Sequence, residues 1–297
     1  MTPDRNHNSN RSTGADAAGL PPGWTPPATG KPQRVLYFTR TTGFEHSAVH
    51  RNGNGLSHSE AVLLDMARRI GIELECSKDG RIFDGDLDRF DAFAFYTLGD
   101  LLLTRGYCQT PPMSPSGKQR LLDAVAGGKG FVGFHAASDT FYGSGLDPYI
   151  EMVGAEFCGH GPEQPGRMRR TSPSFPGLDG LDASLEFFEE WYAFKKVSRR
   201  MHVIFALDTA GMKSNLYARP PMPATWARMY GKGRVFFTSL GHREEVWLDP
   251  RFQQIAYAGL AWSLKNVDAD VTSNFDQATP EGDRYRKLPL EPGCVAR

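Results

Sequence analysis

The stretch Phe131-Val132-Gly133-Phe134-His135-Ala136-Ala137-Ser138-Asp139-Thr140-Phe141 decides the fold. A short apolar run runs into a histidine and then into small residues, the pattern of a nucleophile elbow whose sharp turn lifts one side chain above a parallel sheet. The side chain at that apex is an imidazole, which serves as general base, general acid or metal ligand. The position reads as catalytic, with no thiol or hydroxyl nucleophile on it.

The elements flanking this elbow alternate. Arg34 to Thr39 suits a buried strand, and Ser57-His58-Ser59-Glu60 fits a capping box opening a helix that continues through Ala61, Leu64, Met66, Ala67 and Ile70. Ile72 to Cys76 and Phe93 to Tyr96 read as strands, Lys118 to Ala126 as a helix, and Gly130 to Phe134 as a central strand. The order β-α-β-β-α-β implies an α/β fold, a mostly parallel sheet with helices on both faces. Further along, Asp147 to Val153 reads as a short helix and the Gly/Pro-rich stretch from Gly159 to Gly180 as an extended, lid-like loop. Met201 to Leu207 reads as a strand. Thr225 to Tyr230 and Arg234 to Ser239 form a hairpin about Gly231-Lys232-Gly233, and Asp249-Pro250 opens a closing helix to Lys265.

Composition sets the class. The chain has 297 residues, of which 40% are hydrophobic and 11% aromatic, enough for a sizeable core. No apolar run approaches the roughly 18 residues that span a bilayer. Zero formal net charge gives no electrostatic case for nucleic acid or an anionic membrane. Cys76, Cys108, Cys158 and Cys294 are far apart, the pattern of reduced thiols, and with no signal-like N-terminus this places the protein in the cytoplasm. Residues 1–32, rich in Asn, Ser, Gly and Pro, read as a disordered arm, 33–266 as the folded body and 267–297 as a polar tail.

In open α/β sheets, ligands bind beyond the carboxyl ends of the strands. His46, His135 and His242 each follow an expected strand and so point to one rim, and His160 heads the long loop that folds toward it. Glu190, in Glu189-Glu190-Trp191-Tyr192, offers a carboxylate for general acid work or ligation. Asp139 either holds the His135 tautomer or caps the next turn. Glu245 adds a carboxylate beside His242. Trp191, Tyr192 and Trp226 suit the apolar face of a sugar and suit a core equally. Cys158 lacks elbow geometry and reads as structural.

On Arg34 to His46, Gly130 to Phe141, Phe157 to His160, Glu189 to Tyr192 and Trp226 to His242, the chain resembles the ThuA-like (trehalose utilization) family, whose fold is similar to class I glutamine amidotransferases. The resemblance implies a flavodoxin-like sheet and a role in carbohydrate metabolism around disaccharides or their keto forms. In the related amidotransferases the elbow carries cysteine; His135 stands there here, which excludes glutaminase chemistry through a thiolate at that position. Two departures stand out. Glu189 replaces the usual Asp, a change tolerable where the carboxylate points to solvent, and Phe175-Pro176 replaces a His-Pro pair.

The resulting expectation is a sugar enzyme acting on a disaccharide, keto-sugar or keto-glycoside by hydrolysis, elimination or isomerisation. His135, His242, Glu190 and Asp139 are its catalytic candidates; His46, His160, Trp191, Tyr192, Trp226 and Glu245 are its substrate contacts. A divalent metal such as zinc on His135, His160, His242 and Glu190 is an alternative, since no ligand-spacing motif is present. The other readings are a noncatalytic sugar-binding module and a metal-dependent amidohydrolase. The expected partners are a small carbohydrate and a sugar dehydrogenase supplying its oxidised form, with no nucleic acid or membrane; oligomeric state stays open.

Overall fold

A computed structural model describes residues 20–105, 109–284 and 294–296; Cys108 lies outside them. In chain order, the first half forms β1 (Arg34–Phe38), α1 (His58–Arg69), β2 (Glu73–Ser77), β3 (Ala92–Phe95), α2 (Pro115–Gly127), β4 (Gly130–Phe134) and α3 (Pro148–Val153). The second half forms β5 (Glu156–His160), β6 (Gln164–Arg170), β7 (Ser184–Glu189), β8 (Tyr192–Lys195), β9 (His202–Asp208), β10 (Met222–Tyr230) and β11 (Gly233–Thr238). It closes with α4 (Glu244–Leu248), α5 (Pro250–Ser263), α6 (Phe275–Ala278) and β12 (Val295–Ala296).

Nine strands form one sheet in the order β2-β1-β3-β4-β11-β10-β9-β6-β7, and β12-β5-β8 form a second. The first five strands are parallel, as expected for this α/β class. The remaining four extend the sheet antiparallel.

Pleat alternation assigns the helices to two faces. On one face the Tyr37 hydroxyl meets Ser59 of α1, and Phe134 packs on Trp247 of α4 and Phe252 of α5. On the other, Phe38 packs on Phe83, and Phe95 and Phe131 on Tyr149 of α3. The α1 capping box is present: the Ser57 side chain accepts from the Glu60 N–H, and the Glu60 carboxylate accepts from the Ser57 N–H.

Three sequence expectations change. The stretch from Gly159 to Gly180 is not one extended loop, because it contains β6. Gln164, Gly166 and Met168 of that strand face inward while Pro165, Arg167 and Arg169 face out. Glycine and proline hid this alternation, and Gly166 is there because the Trp191 ring fills its side-chain space: a Cβ would sit 2.3 Å from Trp191 Cε2.

The arm and the tail also hold structure. Within the expected arm, Trp24 is only 6% exposed and is part of the core, and Gly23 lies against the Gln254 carbonyl. Beyond residue 266, the Asn274 side chain brackets Val203 of β9, accepting from its N–H at 2.7 Å and donating to its carbonyl at 2.9 Å. Phe275 is buried, and β12 pairs Val295 with His160.

Replacing Trp24 with alanine should therefore lower stability to urea by about 3 kcal/mol, the usual cost of emptying a buried aromatic site. An unchanged midpoint would return residues 20–32 to the status of a dispensable arm.

Candidate active site

The carboxyl ends of the parallel strands carry the predicted rim. β4 pairs with β11 in the register Phe134↔Thr238, so the residues that leave these strands, His135 and Ser239, emerge side by side. His135 sits at φ +40°, a left-handed backbone unusual for a side chain of this size and the signature of the expected elbow. Gly133 permits the tight turn, since a Cβ there would meet Phe237 at 2.8 Å.

The loop after β1 delivers His46. Its preceding residue is pinned, because Glu45 takes 2.7 Å bonds from Lys78 and His50. The loop after β11 delivers His242 through Gly241 at φ +114°, whose carbonyl accepts from the Trp247 indole at 2.9 Å. Glu190 lies in the turn between β7 and β8, and His160 ends β5.

These residues converge. Ring centroids of His46, His135 and His242 lie 5.0–5.2 Å from one another. Glu190 reaches His135 Nε2 at 3.4 Å, His242 Nδ1 at 3.3 Å and His160 Nε2 at 3.2 Å. One ligand atom from each of His46, His135, Glu190 and His242 falls within 4.8 Å of the others. His46 thus takes the place expected for His160 in a four-ligand set, and His160 stands on the outer side of Glu190.

Hydrogen-bond partners assign the tautomers. His135 donates its Nδ1–H to the Ser239 carbonyl at 2.8 Å, and His242 donates its Nε2–H to Glu163 at 3.2 Å. The remaining lone pairs, on His135 Nε2 and His242 Nδ1, face a carboxylate that is itself an acceptor. Among the described residues neither atom has a hydrogen-bond partner, nor does His46 Nδ1. An acceptor set facing inward in a buried site is repulsive until a proton or a cation joins it, and histidines whose outer N–H is tied to a carbonyl or carboxylate are the usual metal-ligand arrangement.

Electrostatics divide the three imidazoles. Burial lowers the proton affinity of His135, opposed by Glu190, and lowers that of His46 strongly, helped by the neighbouring imidazoles. Burial acts the same way on His242, but Glu190 outweighs it and raises the net value. Burial would raise Glu190; the imidazoles of His135 and His242 instead hold it well below the usual carboxylate range. Tyr96 packs its ring on His46 and His135, and its buried hydroxyl makes no hydrogen bond among the described residues.

Other candidates fall elsewhere. Asp139 is buried at the end of the turn that His135 opens, but the Ser239 carbonyl, not Asp139, orients His135. Trp226 is a core residue: its indole donates to the Val153 carbonyl at 2.8 Å and its ring stacks on Phe237. Trp191 is also in the core, donating to the Gln164 carbonyl at 3.0 Å. Neither offers a face to a sugar. Tyr192 is buried with its ring 4.0 Å from that of His135, a packing support for the imidazole. Glu245 is exposed, pairs with Arg243, and lines a cleft of about 280 Å³ with Ser47, Glu163, His242, Arg243 and Glu244. Burial pushes the Cys158 thiol up to about 11, in keeping with a structural role.

Sequence reasoning missed Glu163, Tyr96 and Glu189. The last had a visible signal. In Ser184–Glu189, Leu185, Phe187 and Glu189 share the inward face, so Glu189 is fully buried and does not point to solvent. Burial pushes its carboxyl up to about 7, against the hydrogen bonds it accepts from backbone N–H groups.

Fold and site together define an open α/β protein with a histidine–carboxylate centre at the carboxyl edge of its parallel strands. The sequence model of the ThuA family, described as trehalose utilisation, matches residues 34–263, and the chain belongs to this family. That membership gives it a carbohydrate-related role. Among solved structures, a ThuA-like protein from Bacteroides uniformis is similar at 18% identity with a TM-score of 0.60, covering 79% of this chain and 92% of its own. A ThuA-like protein from Parabacteroides merdae is similar at 16% identity and a TM-score of 0.57, covering 90% and 98%. A protein from Salmonella typhimurium described as cytoplasmic is similar at 13% identity and a TM-score of 0.51, covering 77% and 98%. Comparison with curated protein sequences gives no match. At these identities the structures speak to fold alone. Among the described residues, no helix is long and apolar enough to cross a membrane.

The elbow can be tested through its backbone. His135→Gly should be more stable than His135→Ala by about 1–2 kcal/mol, because only glycine adopts the left-handed conformation without a Cβ clash. Equal stability of the two variants by urea unfolding would remove the strained-turn assignment.

Proposed function

We propose that this protein is a cytoplasmic enzyme of carbohydrate metabolism that acts on a disaccharide, keto-sugar or keto-glycoside, with a divalent metal held by His46, His135, His242 and Glu190. The observation that carries this reading is the convergence of ligand atoms from three imidazoles and one carboxylate within 4.8 Å, with the outer N–H groups of His135 and His242 already committed. Histidine nitrogens with a carboxylate oxygen suit zinc and its first-row neighbours. Such an ion would act as a Lewis acid toward a substrate carbonyl or hydroxyl oxygen.

The side chains divide the remaining work. His160 donates Nδ1–H to the Gly161 carbonyl at 2.8 Å, which leaves the Nε2 lone pair beside Glu190. In this reading His160 takes a proton from carbon next to a sugar carbonyl, and its conjugate acid returns that proton to a leaving or re-forming hydroxyl. Glu163 and Glu245 line the cleft with carboxylate acceptors for sugar hydroxyls. A keto-sugar forms by two-electron oxidation of a sugar's secondary hydroxyl, so a sugar dehydrogenase, passing the hydride to its own acceptor, is the class of enzyme that would supply it.

A noncatalytic binding module is the weaker reading. It would draw affinity from exposed aromatic faces, and Trp191 and Trp226 are both committed to the core. Strain at the histidine elbow also favours chemistry over simple binding.

Elemental analysis of the purified protein should find one divalent metal ion per chain, lost in His135→Ala and on chelation. Turnover of a keto-disaccharide should fall with it and return when metal is restored. A folded, metal-free wild type would remove the metal from the proposal. Metal without turnover across keto-disaccharides, disaccharides and monosaccharides would remove the enzyme assignment.

A further inference from the structure

We infer that Glu189 is the positioning residue of the histidine cluster, a buried carboxylate that fixes the backbone of both Glu190 and His242 at once. Its Oε1 accepts from the Gly241 and His242 N–H groups at 2.6 and 2.9 Å, and its Oε2 accepts from the Glu190 N–H at 2.9 Å. One rigid, planar group thereby joins the end of β7 to the loop after β11, two segments about 50 residues apart in sequence.

The consequence falls on a contact already described. His242 Nδ1 and Glu190 Oε2 lie 3.3 Å apart, and both belong to residues whose N–H is held by the same carboxylate. Gly241 at φ +114° lies outside regular strand geometry, beyond the last cross-strand bond of β11, from Ser239 N–H to the Ala224 carbonyl. Glu163 then sets the ring of a histidine whose backbone Glu189 has set.

The donor count calls on both carboxyl oxygens. Three N–H groups need acceptors on both oxygens, whereas an amide of the same shape accepts on one atom and presents N–H on the other. Glu189 makes no ion pair among the described residues, and its oxygens are satisfied by backbone donors. Replacing a buried carboxyl of this kind with a neutral isostere need not weaken the fold. Positioning and packing therefore predict different outcomes for Glu189→Gln.

The inference stands on the geometry of the cluster and does not require the sugar chemistry. In full-length Glu189→Gln, amide exchange at Gly241, His242 or Glu190 should accelerate at least tenfold while exchange in α5 stays unchanged. The ring signal of His242 should move, and that of His202, held remotely by Ser172 and Thr272, should not. Affinity for cobalt(II) should fall about 10–100-fold, the usual effect of losing an outer-shell partner. Glu189→Asp, which keeps the charge but shortens the reach, should show the same local pattern. Unchanged amides and His242 ring signal in a folded Glu189→Gln protein would overturn the inference. So would uniform loss of protection across the core, or failure of both variants to fold, since either would make Glu189 a residue of the fold. Wild type that binds no cobalt would count against the proposed metal, while the exchange and ring signals would still decide the role of Glu189.

Discussion

The register between β4 and β11 is the constraint on which the site depends. Pairing Phe134 with Thr238 brings two chain exits together at the carboxyl edge of the sheet, and the Ser239 carbonyl then takes the Nδ1–H of His135. A shift of one residue would turn Phe134 away from Trp247 and Phe252 and carry His135 out of reach of its acceptor. The register is therefore held by apolar packing on both faces, and the imidazole inherits its orientation from that packing. The left-handed turn at His135 is affordable in this setting because the surrounding core leaves it no alternative.

The parallel half of the sheet was legible in the sequence because its signals are local. The capping box at Ser57 and the apolar run ending at Phe134 each report a structure formed by near neighbours. The antiparallel extension was less legible. β6 alternates through Gly166 and a proline, and the reason for that glycine, the Trp191 ring, lies about 25 residues downstream. The same limit explains Trp24: one tryptophan between prolines carries no periodicity, and only the finished fold shows the core position it fills.

For the site, position after a strand was enough to bring His46, His135 and His242 to one rim. It did not determine who orients whom. Ser239 contributes through a backbone carbonyl, which no residue type advertises, and Glu163 comes from a stretch read as loop. The aromatic candidates show the opposite error: Trp191 and Trp226 are the right residue types for a sugar pocket and the right ones for a core, and burial decided for the core. Glu189 was readable in principle from the alternation of its strand, although a carboxylate is the last side chain expected on an inward face.

The centre of this protein is a place where buried acceptors face one another and the outer hydrogen bonds are already made. Structures tolerate such arrangements chiefly where something binds between the acceptors. The most direct test is anomalous diffraction from crystals grown with cobalt(II) and measured on both sides of its absorption edge. The account predicts a single strong peak bonded to His46, His135, His242 and Glu190, with His135 still donating to Ser239. No peak there, with Glu190 instead hydrogen-bonded directly to protonated His135 and His242, would contradict it and leave a purely proton-linked cluster.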